Sequence, residues 1–483
     1  MSGLRIGVIG AGFSGIGAAI LLRKQGFAHV TIIERSSEIG GTWRDNTYPG
    51  CACDIRSHLY SYSFFPNPNW SCAYPRQPEI QRYLLDCVDH FGVRSLIRFD
   101  TEIAQTRFDE RRSVWVVTTT SGEHLEFDVI VNGTGPLSRP SIPEIPGLSD
   151  FKGRVFHSAQ WDHGHALEGE RVASIGTGAS AIQYVPEVAP KVDQLYVFQR
   201  TAPWVVPRDD RPFTAVEQRR FARFPALAKA HRYRIYLQNE MRGHAFRGGR
   251  RISDFVTKMA TKYIESEVVD PGLRAAVTPD YAPGCKRLLV SNDWYSTIQR
   301  DNVELVTDGI DRVVADGIVT SDGTHRSVDT IVLGTGFHAT EFLAPMKVFG
   351  RGGLELSDLW QQGAATHLGV LMHGFPNLFL LVGPSTALGH NSIVFMIEAQ
   401  MHYIMSALQH VRARGKTSVE VRASVQRRSY ERVQRKLRGT VWTSGCASWY
   451  QSAGGRNDTI WPSNTIDYWL RTRRFRARQA IVR

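Results

Sequence analysis

Arg171-Val172-Ala173-Ser174-Ile175-Gly176-Thr177-Gly178-Ala179-Ser180-Ala181 reads as a short β-strand that turns through G-x-G-x-x-A into a helix. Such a loop offers backbone N–H groups and a helix N-terminus to a pyrophosphate. The pattern occurs a second time, where Leu4 to Ile9 lead into Gly10-Ala11-Gly12-Phe13-Ser14-Gly15. Two units of this kind predict an α/β fold with two Rossmann-like dinucleotide-binding domains.

The end of each unit's second strand tells the two sites apart. Glu34 stands 24 residues after Gly10, behind Val30-Thr31-Ile32-Ile33. An acid there accepts hydrogen bonds from a ribose 2′-OH and repels a 2′-phosphate. Arg200 stands 24 residues after Gly176, behind Leu195-Tyr196-Val197-Phe198. A cation there pairs with a 2′-phosphate, and an arginine can do so bidentately. The first site therefore reads as FAD (or NAD) and the second as NADPH.

The chain has 483 residues, 42% hydrophobic and 22% charged, enough for two or three domains with ordinary cores. No run approaches the ~18 apolar residues of a membrane span. No secretory signal precedes the first strand, so a cytoplasmic location is expected. The six cysteines (51, 53, 72, 87, 285 and 446) include no C-x-x-C pair. That removes the redox centre of a flavin disulfide reductase and offers no metal site; all six are read as buried small residues. The formal charge is +12, and Arg471, Arg473, Arg474, Arg476, Arg478 and Arg483 supply six of it from a stretch without an acid. Such a stretch can meet nucleic acid or anionic lipid, but it is more often solvated, and no nucleic-acid partner is expected.

In chain order, residues 1–145 and 375–483 are expected to form the FAD-binding domain. Residues 146–214 and 285–374 form the NADP-binding domain, and 215–284, basic and helix-prone, form a helical insertion in it. Strands are predicted at 4–9, 30–33, 114–119, 129–132, 195–198, 303–306, 330–333 and 378–381. Two of them end in a repeated signature, Gly133-Thr134-Gly135 and Gly334-Thr335-Gly336. Asn391 or Ser392 caps a long helix whose N-terminus would stabilise negative charge on a reduced flavin. His390 reads as a structural loop histidine. The aromatic, turn-rich segment around Trp449-Tyr450, Gly455-Arg456-Asn457 and Trp461-Pro462 either covers a pocket or packs the chain's end.

Two further motifs are more specific. Phe151, Gly153, His157, Trp161 and Asp162 fit F-x-G-x-x-x-H-x-x-x-W-[PD]; Gly40-Gly41-Thr42-Trp43, Tyr48-Pro49-Gly50 and Asp54 fit G-G-x-W…Y-P-G…D. On these residues the chain resembles, along most of its length, the type I Baeyer–Villiger monooxygenases, a branch of the class B flavoprotein monooxygenases. The resemblance implies that Arg287 stabilises a negatively charged C4a-peroxyflavin and that Asp54 orients Arg287. Lys286 joins Arg200 and Thr201 at the 2′-phosphate, Trp43 and Tyr60 line the flavin, and His157 couples domain movement to turnover. The implied reaction consumes NADPH and O₂ and inserts one oxygen atom beside a ketone carbonyl, giving an ester or lactone. N- or S-oxygenation, or a non-oxygenating NADPH-binding flavoprotein, are the alternatives. Which ketone is taken is not readable from the residues.

Overall fold

The computed structural model describes residues 3–247, 250–446, 448, 450–451 and 454–483. Trp449 of the aromatic segment lies outside the described residues. Two five-stranded parallel sheets carry the molecule. The first runs in the order Leu378–Leu380, Val129–Asn132, Arg5–Ile9, His29–Ile33, Ile97–Arg98. The second runs Val303–Val306, Gln194–Phe198, Arg171–Ile175, Thr330–Leu333, Arg154–His157. Placed so that the two glycine-loop strands coincide, the orders match: each central strand has its βαβ partner on one side and its G-T-G strand on the other. Ile6, Val8, Ile32, Val172 and Val197 are fully buried, as expected of parallel strands covered on both faces.

The glycine signatures have a shared steric cause. Gly10 has φ +93°, and a Cβ on it would lie 2.9 Å from the Gly133 carbonyl oxygen. Gly176 has φ +108°, and its Cβ would lie 2.6 Å from the Gly334 carbonyl oxygen. In both sheets the phosphate-type loop and the G-T-G turn touch backbone to backbone, which only glycine allows.

Helices position the rest. α1 (Phe13–Lys24) and α2 (Ala181–Val188) leave the two loops. The insertion is helical: α3 (Ala215–Arg223), α4 (Pro225–Arg247), α5 (Arg250–Glu267) and α6 (Pro271–Val277). A Thr214–Glu217 capping box starts α3. The long helix α7 (Ile393–Ala413) packs on α1 and α9, and α8 (Ala423–Leu437) and α9 (Thr465–Thr472) follow it. Ser392 is its N-cap residue in extended conformation.

Two departures from the sequence reading are informative. Lys347–Phe349 pairs with Ile103–Asp109 in a four-stranded sheet beside the first domain, so the chain returns there well before residue 375. Cys285 and Cys446 are not free small residues but a disulfide, joining positions 161 apart. Cys51, Cys53 and Cys87 are buried thiols, and Cys72 is partly exposed. Burial pushes the Cys51 and Cys87 thiols up to about 12, which keeps them protonated and inert.

Candidate active site

The two loops open on one cavity of about 1390 Å³. It is larger than a single drug-sized ligand needs, and both nucleotide loops line it. At the first loop Gly10, Gly12, Phe13, Ser14, Glu34, Gly41, Thr42, Trp43, Asp54, Tyr60 and Asn391 face it. Gly15 does not: a Cβ there would lie 1.7 Å from the Gly10 carbonyl oxygen, so its role is to let α1 approach the strand. The Glu34 carboxylate, 5% exposed, accepts from Ala11 N–H at 2.7 Å through Oε2 and from Ser36 N–H at 3.0 Å through Oε1. Arg44 adds an ion pair at 3.0 Å to Oε1. Each oxygen thus already holds the loop, and the lone pairs left over are what a ribose would meet. Trp43 donates its indole N–H to the Tyr60 hydroxyl at 3.0 Å, fixing both rings at the cavity wall.

At the second loop Gly176, Thr177, Gly178, Ala179, Ser180, Arg200, Thr201 and Lys286 face the same cavity. Ala181 lies behind them, fully buried as the first residue of α2. The Thr177 hydroxyl donates to the Thr201 carbonyl at 3.3 Å, which ties the glycine loop to the strand end carrying Arg200. Burial, and then the neighbouring Arg200, push the Lys286 ammonium below its ordinary value. Two like charges converge here, and among the described residues neither forms an ion pair. An anion such as a 2′-phosphate would relieve that repulsion, so these residues fit an NADP-type dinucleotide. The Gly10–Gly12 cradle and Glu34 fit a dinucleotide without that phosphate.

Arg287, next to Lys286, meets Asp54 across the two domains. Its Nε donates to Asp54 Oδ2 at 2.7 Å and its Nη2 donates to the same oxygen. Asp54 above all, acting against burial, raises the guanidinium pKa further, so its charge is fixed at every pH of interest. Tyr450, 1% exposed, is a second polar neighbour of that guanidinium. From the sequence Tyr450 falls in an aromatic segment that fits either a pocket cover or end packing. The structure brings it inward because the disulfide pins Cys446, four residues before it, beside the Lys286-Arg287 turn.

Asn391 lines the cavity, yet its amide is engaged away from it. Nδ2 donates to Glu240 Oε1 of α4 at 2.8 Å, and the side-chain carbonyl accepts from Ser392 N–H at 2.8 Å. Glu240 also accepts from the Thr465 hydroxyl at 2.6 Å and stands 3.4 Å from His390 Nε2. His390 is accordingly a buried link between the insertion and α7.

The linker residues Phe151, Gly153, His157, Trp161 and Asp162 do not reach the cavity. Phe151 and Gly153 lead into the edge strand of the second sheet (Arg154–His157), His157 ends it, and Trp161 and Asp162 follow the turn after it. A Cβ on Gly153 would lie 2.1 Å from the Asp329 carbonyl oxygen, so the strand's approach to Thr330–Leu333 requires glycine. His157, 1% exposed, accepts from Ala159 N–H at 3.0 Å and packs on Phe337, just after Gly336. Trp161 packs on Tyr184 of α2 at 5.4 Å between ring centroids. The Asp162 carboxylate accepts from Gly164 N–H at 3.0 Å.

Residues 3–241 match the family described as flavin-binding monooxygenase-like. A Baeyer–Villiger monooxygenase of Pseudomonas aeruginosa is 46% identical over 475 residues, 98% of this chain and 90% of that protein. One from Streptomyces coelicolor is 44% identical over 473 residues, 98% of this chain and 91% of that protein. Among solved structures, an oxidised steroid monooxygenase bound to NADP superposes with a TM-score of 0.89 at 31% identity, covering 99% of both chains. A cyclohexanone monooxygenase from Rhodococcus sp. Phi1 bound to NADP+ gives a TM-score of 0.89 at 28% identity, also over 99% of both chains. Two dinucleotide folds sharing one cavity, with a half-buried cation at their junction, fit a flavin-dependent monooxygenase that consumes NADPH. Within that class, the chain belongs to the Baeyer–Villiger monooxygenase family.

Proposed function

We propose that the protein inserts one oxygen atom of O₂ beside the carbonyl of a small apolar ketone, giving an ester or lactone, with Arg287 as the catalytic cation. The observation that carries this reading is the Arg287–Asp54 pair: a permanently charged donor fork, held by a carboxylate from the other domain, at the wall of the cavity that both nucleotide loops enter. Gly10, Gly12, Glu34, Trp43 and Tyr60 would hold FAD, and Gly176, Gly178, Arg200, Thr201 and Lys286 would hold NADPH. The flavin, when bound and reduced, supplies the activation of O₂. The protein's task is to keep developing negative charge unprotonated and to exclude water. Arg287 serves the first need, with its orientation set by Asp54 so that no reorganisation is required as charge develops. Phe337, Met346, Leu388, Ile393 and Ile397 in the lining serve the second and favour an apolar substrate.

The holoenzyme, supplied with NADPH and isotopically labelled O₂, is tested against linear, cyclic, aromatic and polycyclic ketones, and against sulfides and tertiary amines, by mass spectrometry. An ester or lactone carrying one labelled oxygen is expected. Labelled sulfoxides or N-oxides without any labelled ester would overturn the reading.

A further inference from the structure

We propose that the outer face of α9 together with the outer side of α4 is a docking surface for an anionic lipid bilayer, on which the molecule rests without crossing it. Three observations meet there.

The first is an inverted helix face. In α9, Ile466, Trp469 and Leu470 are 43%, 38% and 54% exposed, while Thr465, Tyr468 and Thr472 are buried. Positions i, i+3 and i+4 share one side of a helix, so the solvent face of α9 is its apolar one. In α4, Leu237 and Met241 are 54% and 66% exposed, while their neighbours Tyr236 and Glu240 point inward. The two helices meet on their inner sides. The Tyr236 hydroxyl lies 2.9 Å from Thr465 Oγ1, and the Thr465 hydroxyl donates to Glu240, so Leu237 and Met241 each follow directly on a residue that contacts the start of α9. Exposed apolar helix faces of this kind mark an interaction site.

The second is charge. Residues 412–483 hold seventeen Lys and Arg against four Asp and Glu, so the molecule's formal +12 resides there and the remainder is close to neutral. Two of those four acids, Glu420 and Asp458, are buried. The guanidinium of Arg473 lies 5.4 Å over the Trp469 ring, and among the described residues neither Arg473 nor Arg474 forms an ion pair. Lys436 of α8 reaches Asp467 of α9 at 3.0 Å, which brings the exposed Arg432 and Arg435 to the same rim. Cations around an apolar centre containing Trp fit the interface of an anionic membrane. A second copy would oppose like charges, and a phosphate backbone offers the aliphatic side chains nothing to bury against.

The third concerns depth and consequence. No helix among the described residues is long and apolar enough to cross a membrane, so the face can only lie on one. α4 also touches the site: a Cβ on Gly243 would lie 2.5 Å from the His390 ring, beside Asn391 at the cavity wall. An apolar substrate dissolved in the bilayer would then meet the protein next to its cavity.

The test is co-sedimentation of the holoenzyme with phosphatidylcholine vesicles, with and without phosphatidylglycerol, at low and high salt. Binding only to phosphatidylglycerol vesicles, weakened by salt, is expected. R473E/R474E should lower the bound fraction about tenfold or more. L470S/M241S should lower it too, while keeping the wild-type melting temperature and turnover in solution. Failure to bind phosphatidylglycerol vesicles at low salt overturns the proposal, as does full binding by L470S/M241S. A dimer in light scattering that L470S dissolves would make the face an interface between copies. DNA binding abolished by R473E/R474E, with vesicles ignored, would make it a nucleic-acid surface.

Discussion

At the scale of single residues, the charges in the cavity divide the work. Arg287→Ala should still bind both nucleotides and consume NADPH, but release hydrogen peroxide in place of ester. The yield of ester per NADPH should fall about a hundredfold, the usual effect of removing one donor aimed at developing charge. Arg287→Lys should recover little, because an ammonium lacks the planar fork that Asp54 can hold by one edge while the other faces the cavity. Chromatography of ester against NADPH consumed decides this; unchanged coupling would make Arg287 a structural dibasic turn. Arg200→Ala should raise the KM for NADPH by roughly one to two orders of magnitude and leave NADH kinetics nearly unchanged. Equal losses with both coenzymes, in initial-rate measurements, would mean that Arg200 does not meet the 2′-phosphate. Arg200 and Glu34 were legible from sequence because each sits at a fixed distance from its glycine loop. Tyr450 was not, since what places it is a disulfide to a residue far away in the chain.

Among the elements, α4 is the least predictable and the most connected. Sequence composition marks a helical insertion but says nothing of what its inner face holds. In the structure that face carries Glu240, 7% exposed, which binds the heads of α7 and α9 together. Burial alone would raise this carboxyl, but the nearby His390 ring and the hydrogen bonds from Thr465 and Asn391 outweigh it and bring it from the usual 4.5 to about 2. A carboxyl depressed on folding stabilises the native state fully above its unfolded value, and the effect is lost as pH falls towards the folded one. Glu240 should thus contribute about 3 kcal/mol at neutral pH. Denaturant unfolding of Glu240→Gln and wild type should show that gap at pH 7 and its closure between about pH 4.5 and 2. A gap unchanged across that range would place the stabilisation in packing alone.

The whole molecule is two nucleotide domains cross-braced by contacts that no local pattern announces. The Cys285–Cys446 bond joins the turn bearing Arg287 to the segment bearing Tyr450. A link closing so long a loop should stabilise by about 2–4 kcal/mol. Reduction with dithiothreitol should therefore lower the thermal midpoint of the wild type, and Cys446→Ser should lower it equally and lose its response to the reductant. If dithiothreitol leaves the wild-type midpoint unmoved, the bond carries no stability. The Arg287–Asp54 pair spans the same two domains, so Cys446→Ser should also loosen coupling of NADPH oxidation to ester formation, though less than Arg287→Ala.

The sequence by itself determined whatever depends on short, fixed spacing. The two glycine loops, the acid and the cation 24 residues beyond them, and the strands with buried β-branched runs follow from local backbone sterics. Even the repeated G-T-G turns were visible, although their cause, a backbone contact with the first loop glycine, is tertiary. The tertiary structure alone decided what meets what across long separations: Asp54 with Arg287, Glu240 with Asn391 and Thr465, Cys285 with Cys446, and the early return of the chain at Lys347–Phe349. It also decided which side of α9 faces outward. The physical reason is common to all of these: a side chain's partner is set by how packed elements close on one another, and closure leaves no periodic trace in the chain.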